Sequence, residues 1–329
     1  ALRGMHCPYP SPHRRQTLAL PLGVASRQVD QVGHPPRVQQ ARRDRRAGTA
    51  LAVQHQRPPL RQLADATDQL AGGNVGNAGD VARLPFGAAP HVHRSASNVN
   101  ATRGPEQDTL LRVPEIIEQE LGDVANVAVL SGPSFAAELA RELPTAVSIA
   151  SRDAQVVRRV QEEFRAPYLR LYGTDDVVGV EIGGALKNII AIAAGMVEGL
   201  GLGHNALAGL ITRGLAEMSR LACAAGAKRE TLAGLTGLGD LVLTCTGALS
   251  RNRHVGIELA SGRAVADVLA GMKMVAEGVR TTEAALALAA RHNVELPIAA
   301  QVGELLAGRK DPKTALYELM LRPQRAEVG

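Results

Sequence analysis

Lys187 is the first lysine in a chain of 329 residues, and it sits inside the apolar, small-residue run EIGGALKNII. An ammonium group costs free energy to desolvate, so a lysine in such a run either snorkels to water or does chemistry. Desolvation lowers the pKa of an amine, which suits it to exchange a proton with a substrate oxygen near neutral pH. On a helix, Gly183 and Gly184 lie one turn before Lys187 and admit a close neighbour, and Asn188 follows directly.

Three further stretches carry polar groups at useful spacing. In SGPSFAAELA, Ser131, Gly132, Pro133 and Ser134 form a turn between a strand and a helix. A helix start offers free N–H groups and a positive dipole end to an anion. Ser134 either caps that helix or donates to a ligand. In GLTGLGDLVLTCTGALSRNRHVG, Gly234, Gly237 and Gly239 lead into Asp240, with Thr244 four residues on. Ser250 is a good N-cap for the next helix. Arg251 in the first turn opposes the helix dipole, and a bound anion such as phosphate would resolve that conflict. The plain alternative is a solvated basic turn. In VAEGVRTTEAA, Glu277 is expected in a loop, with Thr281 or Thr282 capping the helix that follows.

The pattern predicts the elements that hold these residues. A helix over TLLRVPEIIEQEL is expected to stop at Gly122. Strand, helix, strand, helix, strand follow: 126–132, the helix PSFAAELARE, 145–151, the helix DAQVVRRVQEEFR and the strand YLRLYG. That alternation predicts a parallel α/β layer. Helical periodicity runs from 178 to the end, with candidates at 178–198, 205–226, 229–236, 250–261, 264–271, 281–292, 297–307 and 312–320. The expected fold class is α/β plus all-α. A Rossmann-type parallel sheet with an atypical N-terminal part precedes an all-helical substrate domain. The expected division is 1–100, 101–177 and 178–329.

Residues 1–100 contain no lysine, no glutamate and 10 of the 18 prolines. Two readings stay open for them: a disordered basic arm, or a stretch read in the wrong frame from GC-rich DNA. The net charge of +5 therefore averages a strongly basic opening and a slightly acidic remainder. Cys7, Cys223 and Cys245 show neither metal spacing nor a disulfide framework, which fits a reducing, cytoplasmic setting. No signal peptide is expected. The run 178–197 is long enough to span a membrane, but Glu181, Lys187 and Asn188 inside it predict a buried helix instead. No GxGxxG fingerprint occurs, and GGNVGNAG at 72–79 has the wrong spacing.

Taken together, ATRGPEQDTLLRVPEIIEQELG, SGPSFAAELA, VEIGGALKNIIAIAAGMVEGLGLGHNALAGLITRGLAEM, GLTGLGDLVLTCTGALSRNRHVG and VAEGV resemble the bacterial type of the NAD(P)-dependent glycerol-3-phosphate dehydrogenase family, over about residues 100–325. The resemblance implies an oxidoreductase of glycerophospholipid metabolism that interconverts sn-glycerol 3-phosphate and dihydroxyacetone phosphate with NAD or NADP. It implies Lys187 as the proton donor and acceptor. It implies substrate contacts at Arg103, Gly132, Ser134, Lys187, Asn188, Asp240, Thr244, Ser250, Arg251 and Asn252. Cofactor contacts fall at Arg103, Ala136, Arg251, Val275 and Glu277. At Arg103 the family has a lysine, so the charge is kept and the compact ammonium is not. The resemblance further implies a cytoplasmic homodimer with no membrane insertion and no specific nucleic-acid partner. The alternative is a phosphate-binding protein without a working cofactor site.

Overall fold

The computed structural model describes residues 97–101, 104–107, 109–121, 126–272, 276–324 and 326, together with the short strand Leu51–Ala52. All of these fall within one compact unit, Arg46–Gly329. Arg103, Val275, Gly122, Cys7 and the rest of the Arg/Pro-rich opening lie outside the described residues.

Five strands form one sheet in sequence order: β1 (Leu51–Ala52), β2 (Ser97–Asn100), β3 (Asn126–Ser131), β4 (Thr145–Ala150) and β5 (Leu169–Thr174). The first two were not expected from the sequence. β2 runs parallel to β3, with Val99 opposite Ala128, and β4 runs parallel to β5, with Val147 opposite Leu171. β3 and β4, however, are antiparallel, with Leu130 opposite Ile149. The expected parallel layer is therefore corrected at the β3–β4 pair, where the reason lies in the connection, and the short β1 also runs antiparallel to β2. Helix α1 (Val113–Leu121) and helix α3 (Ala154–Glu163) carry the chain back along the sheet before β3 and β5. Between β3 and β4 there is only a one-turn helix, α2 (Ala136–Leu139). One turn spans about 6 Å, whereas a six-residue strand is about 20 Å long, so the chain re-enters from the same end. Glu142, with φ 58°, helps it reverse.

The helical part is built around α4 (Val177–Gly199), followed by α5 (Gly203–Ala224), α6 (Arg229–Ala233), α7 (Asp240–Thr246), α8 (Arg251–Ala260), α9 (Val265–Ala270), α10 (Glu277–Arg291), α11 (Pro297–Leu306) and α12 (Pro312–Met320). α4 is apolar on every face, as a helix surrounded by others must be. Of its most apolar window, 89% is buried within the protein. Asp176 caps its start, accepting the Gly179 N–H at 2.8 Å, and also accepts the Lys228 N–H at 2.8 Å. The aliphatic core gathers Leu186, Ile190, Ile192, Leu221, Leu241 and Val255. A second cluster under the sheet joins Ala128, Leu130, Val147, Ile149 and Val160. Val129 and Ala150 on the other face meet Val177 and Val180 of α4.

Glycines set how closely α4 and α8 cross. A Cβ on Gly256 would strike the Ile192 carbonyl, and one on Gly195 would strike the Arg253 carbonyl. Four expected helices change length: the one expected over 109–121 starts at Val113, and the one expected over 133–142 keeps only Ala136–Leu139. The one expected at 229–236 stops at Ala233, and α10 begins four residues before Thr281. Thr281 and Thr282 are consequently inside α10. They donate to the carbonyls of Glu277 and Gly278 four residues back rather than capping anything.

Candidate functional site

Lys187 lies midway along α4 and is buried, with 4% of its surface exposed. Its Nζ is 2.5 Å from Asp240 Oδ1, and Asp240 is itself 1% exposed. A buried ammonium needs such a partner, because an uncompensated charge in this setting costs several kcal/mol, on the order of 3–5. Asp240 opens α7 directly after a single π-helical turn, Leu235–Gly239, which the sequence did not reveal. That turn is anchored to the lysine's own helix: the Thr236 hydroxyl donates to the Val180 carbonyl at 3.1 Å. Gly183 leaves the space, since a Cβ there would come within 3.1 Å of the Thr236 carbonyl oxygen. Gly237 is equally constrained, because a Cβ would strike the Leu232 carbonyl. The Thr244 hydroxyl donates to the Asp240 carbonyl at 2.6 Å and approaches its Oδ1 at 3.3 Å. Cys245 is buried nearby. Burial pushes its thiol up to about 12, against the pull of the Lys187 charge, so it stays a neutral packing group.

A second layer joins α4, α8 and α10. Asn188 Nδ2 donates to Glu277 Oε2 at 3.1 Å. Asn252 Oδ1 accepts the Gly278 N–H at 2.9 Å and so caps α10 from the neighbouring helix. Glu277 is the first residue of α10, not a loop residue as expected. Gly278 lets the helices touch: a Cβ would lie 2.7 Å from the Asn188 carbonyl oxygen. Ser250 is the N-cap of α8 and accepts the Arg253 N–H at 3.3 Å. Arg253 in turn pairs with Glu198 at 2.5 Å, tying α8 to the end of α4. Arg251, the first residue of α8, is half-buried.

The turn at 132–135 closes against α7. Pro133 Cγ is 3.7 Å from where a Cβ on Gly239 would stand, and the Phe135 ring edge is 2.5 Å from the same position on Gly247. Gly132 has φ 147° and lies on the β4 backbone, where a Cβ would be 3.0 Å from Val147 Cα. Ser134 does not cap the helix that follows. Its hydroxyl donates to the Gly132 carbonyl at 3.0 Å, and α2, which starts at Ala136, has Phe135 as an N-cap with no side-chain bond. A one-turn helix has little dipole, and the turn is braced against α7 through Pro133 and Phe135. Ser131, at the carboxyl end of β3, is 1% exposed, and its hydroxyl makes no hydrogen bond among the described residues. The sequence placed it in the turn, whereas it ends the strand.

Lys187, Asp240 and Thr244 thus form one contact group, and Asn188, Glu277 and Asn252 form another beside it, where α4, α8 and α10 meet. Gly132 and Ser134 reach α7 through Pro133 and Phe135. Arg103 and Val275 lie outside the described residues, but the neighbour of Arg103 is placed. A Cβ on Gly104 would sit 3.4 Å from Thr281 Oγ1 and 4.0 Å from Ala185 Cβ, between α10 and α4.

Comparison with known proteins bears on this arrangement. The family profile described as NAD-dependent glycerol-3-phosphate dehydrogenase C-terminus matches residues 176–317, and its N-terminal counterpart matches residues 86–157. The second match starts before residue 100, where the resemblance was expected to begin, and it takes in β2. A glycerol-3-phosphate dehydrogenase (NAD(P)+) of Acidobacterium capsulatum is 58% identical over 183 residues, covering 55% of this chain and 54% of that protein. One of Syntrophotalea carbinolica is 51% identical over 243 residues, 73% of each. The crystal structure of glycerol-3-phosphate dehydrogenase from Coxiella burnetii superposes with a TM-score of 0.66 at 44% identity, covering 69% of each chain. The chain spans little more than half the length of several of its curated relatives, 54% of the Acidobacterium protein and 57% of one from a Geobacter strain.

Proposed function

The chain belongs to the NAD-dependent glycerol-3-phosphate dehydrogenase family, and on that premise we propose that it interconverts sn-glycerol 3-phosphate and dihydroxyacetone phosphate at the Lys187–Asp240 site. The observation that carries the reading is the buried ion pair at 2.5 Å, both of whose residues lie within the matched segment 176–317. A charged pair this deep is costly to keep for stability alone, and groups of this kind concentrate at functional sites.

The residues present fit a nicotinamide cofactor at its reactive end. The buried, unpartnered Ser131 hydroxyl and the Gly132 turn sit at the carboxyl end of a sheet strand, where α/β sheets bind ligands. Ala136, Arg251 and Glu277 would hold NAD or NADP there, with Arg103 and Val275 completing the set. The cofactor, when bound, supplies or accepts the hydride at C2 of the substrate.

Every other step belongs to the chain. Lys187 gives its Nζ proton to the C2 oxygen of dihydroxyacetone phosphate, and takes it back from the C2 hydroxyl in the reverse direction. Asp240 fixes the position of Nζ, and Thr244 holds Asp240 in turn. Asn188, Gly132 and Ser134 line the polar side of the substrate. Ser250, Arg251 and Asn252 meet its phosphate at the start of α8, where a guanidinium adds to free N–H groups. Burial around Lys187 keeps water from competing for the proton. The same reading carries a cytoplasmic location and a homodimer, the latter to be checked by light scattering on the purified chain.

The test is oxidation of NADH or NADPH followed at 340 nm on adding dihydroxyacetone phosphate. Turnover that is lost in Lys187→Ala supports the reading. Absence of turnover, together with absence of saturable glycerol 3-phosphate binding, sinks it.

A further inference from the structure

Residues 104–107 and 109–112 form a tightly bonded loop that leans on both helices of the site. The Glu106 N–H donates to the Leu111 carbonyl at 2.9 Å, and the Leu110 N–H returns to the Glu106 carbonyl at 3.0 Å. The Glu106 carboxylate, 8% exposed, accepts the Thr109 N–H at 2.6 Å and its hydroxyl at 2.8 Å. Leu110 is held at φ 60°, a conformation that costs a leucine about 1–2 kcal/mol and persists only where the surroundings impose it. Gln107 reaches α10, its side-chain amide donating to the Arg280 carbonyl at 3.4 Å.

The end of this loop is fastened to the catalytic helix by the Arg112 guanidinium, although burial pushes the Glu181 carboxyl up to about 8 against the pull of Arg112. Arg112 Nη1 is 3.3 Å from Glu181 Oε2 and Nη2 is 2.5 Å from Glu115 Oε1, while the Arg112 N–H donates to Glu115 Oε2 at 2.8 Å. Side-chain exposure is 14% for Arg112 and 3% for Glu181. Glu181 lies six residues before Lys187 on α4, and no step proposed above uses it. The guanidinium fork suits this task, since it can serve two carboxylates from two elements at once.

We propose that Arg112 and Glu181 are a positioning pair: they pin the loop formed by residues 104–107 and 109–112 onto the lysine-bearing helix, and so set affinity for the phosphorylated substrate. The proposal rests on the substrate reading above for its last clause and on described contacts for the rest. Neither residue touches the reacting atoms. Their effect passes through the loop, whose Gly104 end already stands against Ala185, two residues from Lys187.

The experiment combines hydrogen exchange and ligand titration on the whole chain. Amide exchange at Glu106, Thr109, Leu111 and Arg112 is compared in the wild type, Glu181→Gln, Arg112→Met and the conservative Arg112→Lys. Glycerol 3-phosphate affinity is measured by calorimetry on the same samples. The pin predicts at least a tenfold rise in loop exchange in Glu181→Gln and Arg112→Met, with the middle of α4 still protected. It predicts about a tenfold loss of affinity in both, partly restored in Arg112→Lys. Unchanged loop exchange overturns the pin, and faster loop exchange with unchanged affinity overturns its positioning role. If the wild type binds no glycerol 3-phosphate, the substrate reading fails separately, and loop exchange alone decides whether the pin exists.

Discussion

Lys187 Nζ and Asp240 Oδ1 stand 2.5 Å apart although 53 positions separate the residues in the chain, and both are almost wholly buried. The contact depends on the π turn Leu235–Gly239, which is bonded to α4 through Thr236 and Val180. The buried lysine and its partner carboxylate are therefore carried by one braced unit.

Lys187→Ala removes the proton-transfer group and leaves Asp240 buried beside an apolar methyl. Turnover should fall about 100- to 10,000-fold. Stability should fall as well, by about 3–5 kcal/mol, because the carboxylate loses its counter-charge. Denaturant melts of the single variants and of Lys187→Ala/Asp240→Ala separate the two effects. The double variant should lose less stability than the sum of the singles, whereas simple additivity would mean that the pair is not coupled.

Two glycine substitutions should move stability in opposite directions. In Gly256→Ala the new methyl meets the Ile192 carbonyl at the α4–α8 crossing and should cost about 1–3 kcal/mol. In Gly209→Ala, on α5 with nothing within 4 Å of the new Cβ, the helix should gain about 0.5–1 kcal/mol. Thermal melts of the two variants side by side check the packing account. A stabilising Gly256→Ala would refute the close crossing.

Glu217 gives the chain a pH dependence of stability. This residue of α5 is 5% exposed and accepts the N–H groups of Ile298 at 2.8 Å and Ala299 at 3.3 Å, capping α11 from a distance. Burial pushes its carboxyl up to about 7, with the two N–H bonds, Arg220 and Arg322 pulling the other way. A raised value means that folding favours the protonated form. That contribution is complete below the ordinary value of 4.5 and drains away as pH climbs through about 7. Between pH 4.5 and pH 8 the wild type should lose about 2–3 kcal/mol relative to Glu217→Gln. Unfolding free energies measured across that range decide it, and a difference that does not vary with pH would rule it out.

Asn252→Ala tests the link between α8 and α10. Losing the cap on the Gly278 N–H should cost about 1 kcal/mol. Because Gly278 adjoins Glu277 and packs on Asn188, glycerol 3-phosphate affinity should drop in the same variant. Calorimetric titration beside a thermal melt reads both. Asn252→Asp, which keeps the accepting oxygen, should keep most of the stability.

Much of the helical part was legible because its signals are local. α4, α5 and α12 match the periodic runs to within about two residues, and Ser250 caps α8 as its position before an apolar period indicated. α7 was not legible: it is seven residues long, with threonines and a glycine boundary that read as a loop. Glu277 and Thr281 were misplaced for a related reason. The cap that starts α10 is Asn252, 26 residues earlier in the chain, so nothing beside Glu277 announces a helix. The reversal between β3 and β4 was hidden too, because the one-turn α2 looked like a full crossover helix in its residue pattern.

The residue types and their order determined that a lysine would be buried in a central helix, that a strand–turn–glycine segment would precede it, and that a capped basic helix would follow. These are matters of periodicity, capping chemistry and desolvation, which act over a few residues. Only the tertiary structure decided which carboxylate meets the lysine, which glycines permit the approach, and that Arg112 fastens a distant loop to the same helix. Those relationships join residues many positions apart. They exist only once the core has closed and excluded water, when an ion pair becomes worth forming and a missing Cβ becomes space that another backbone can fill.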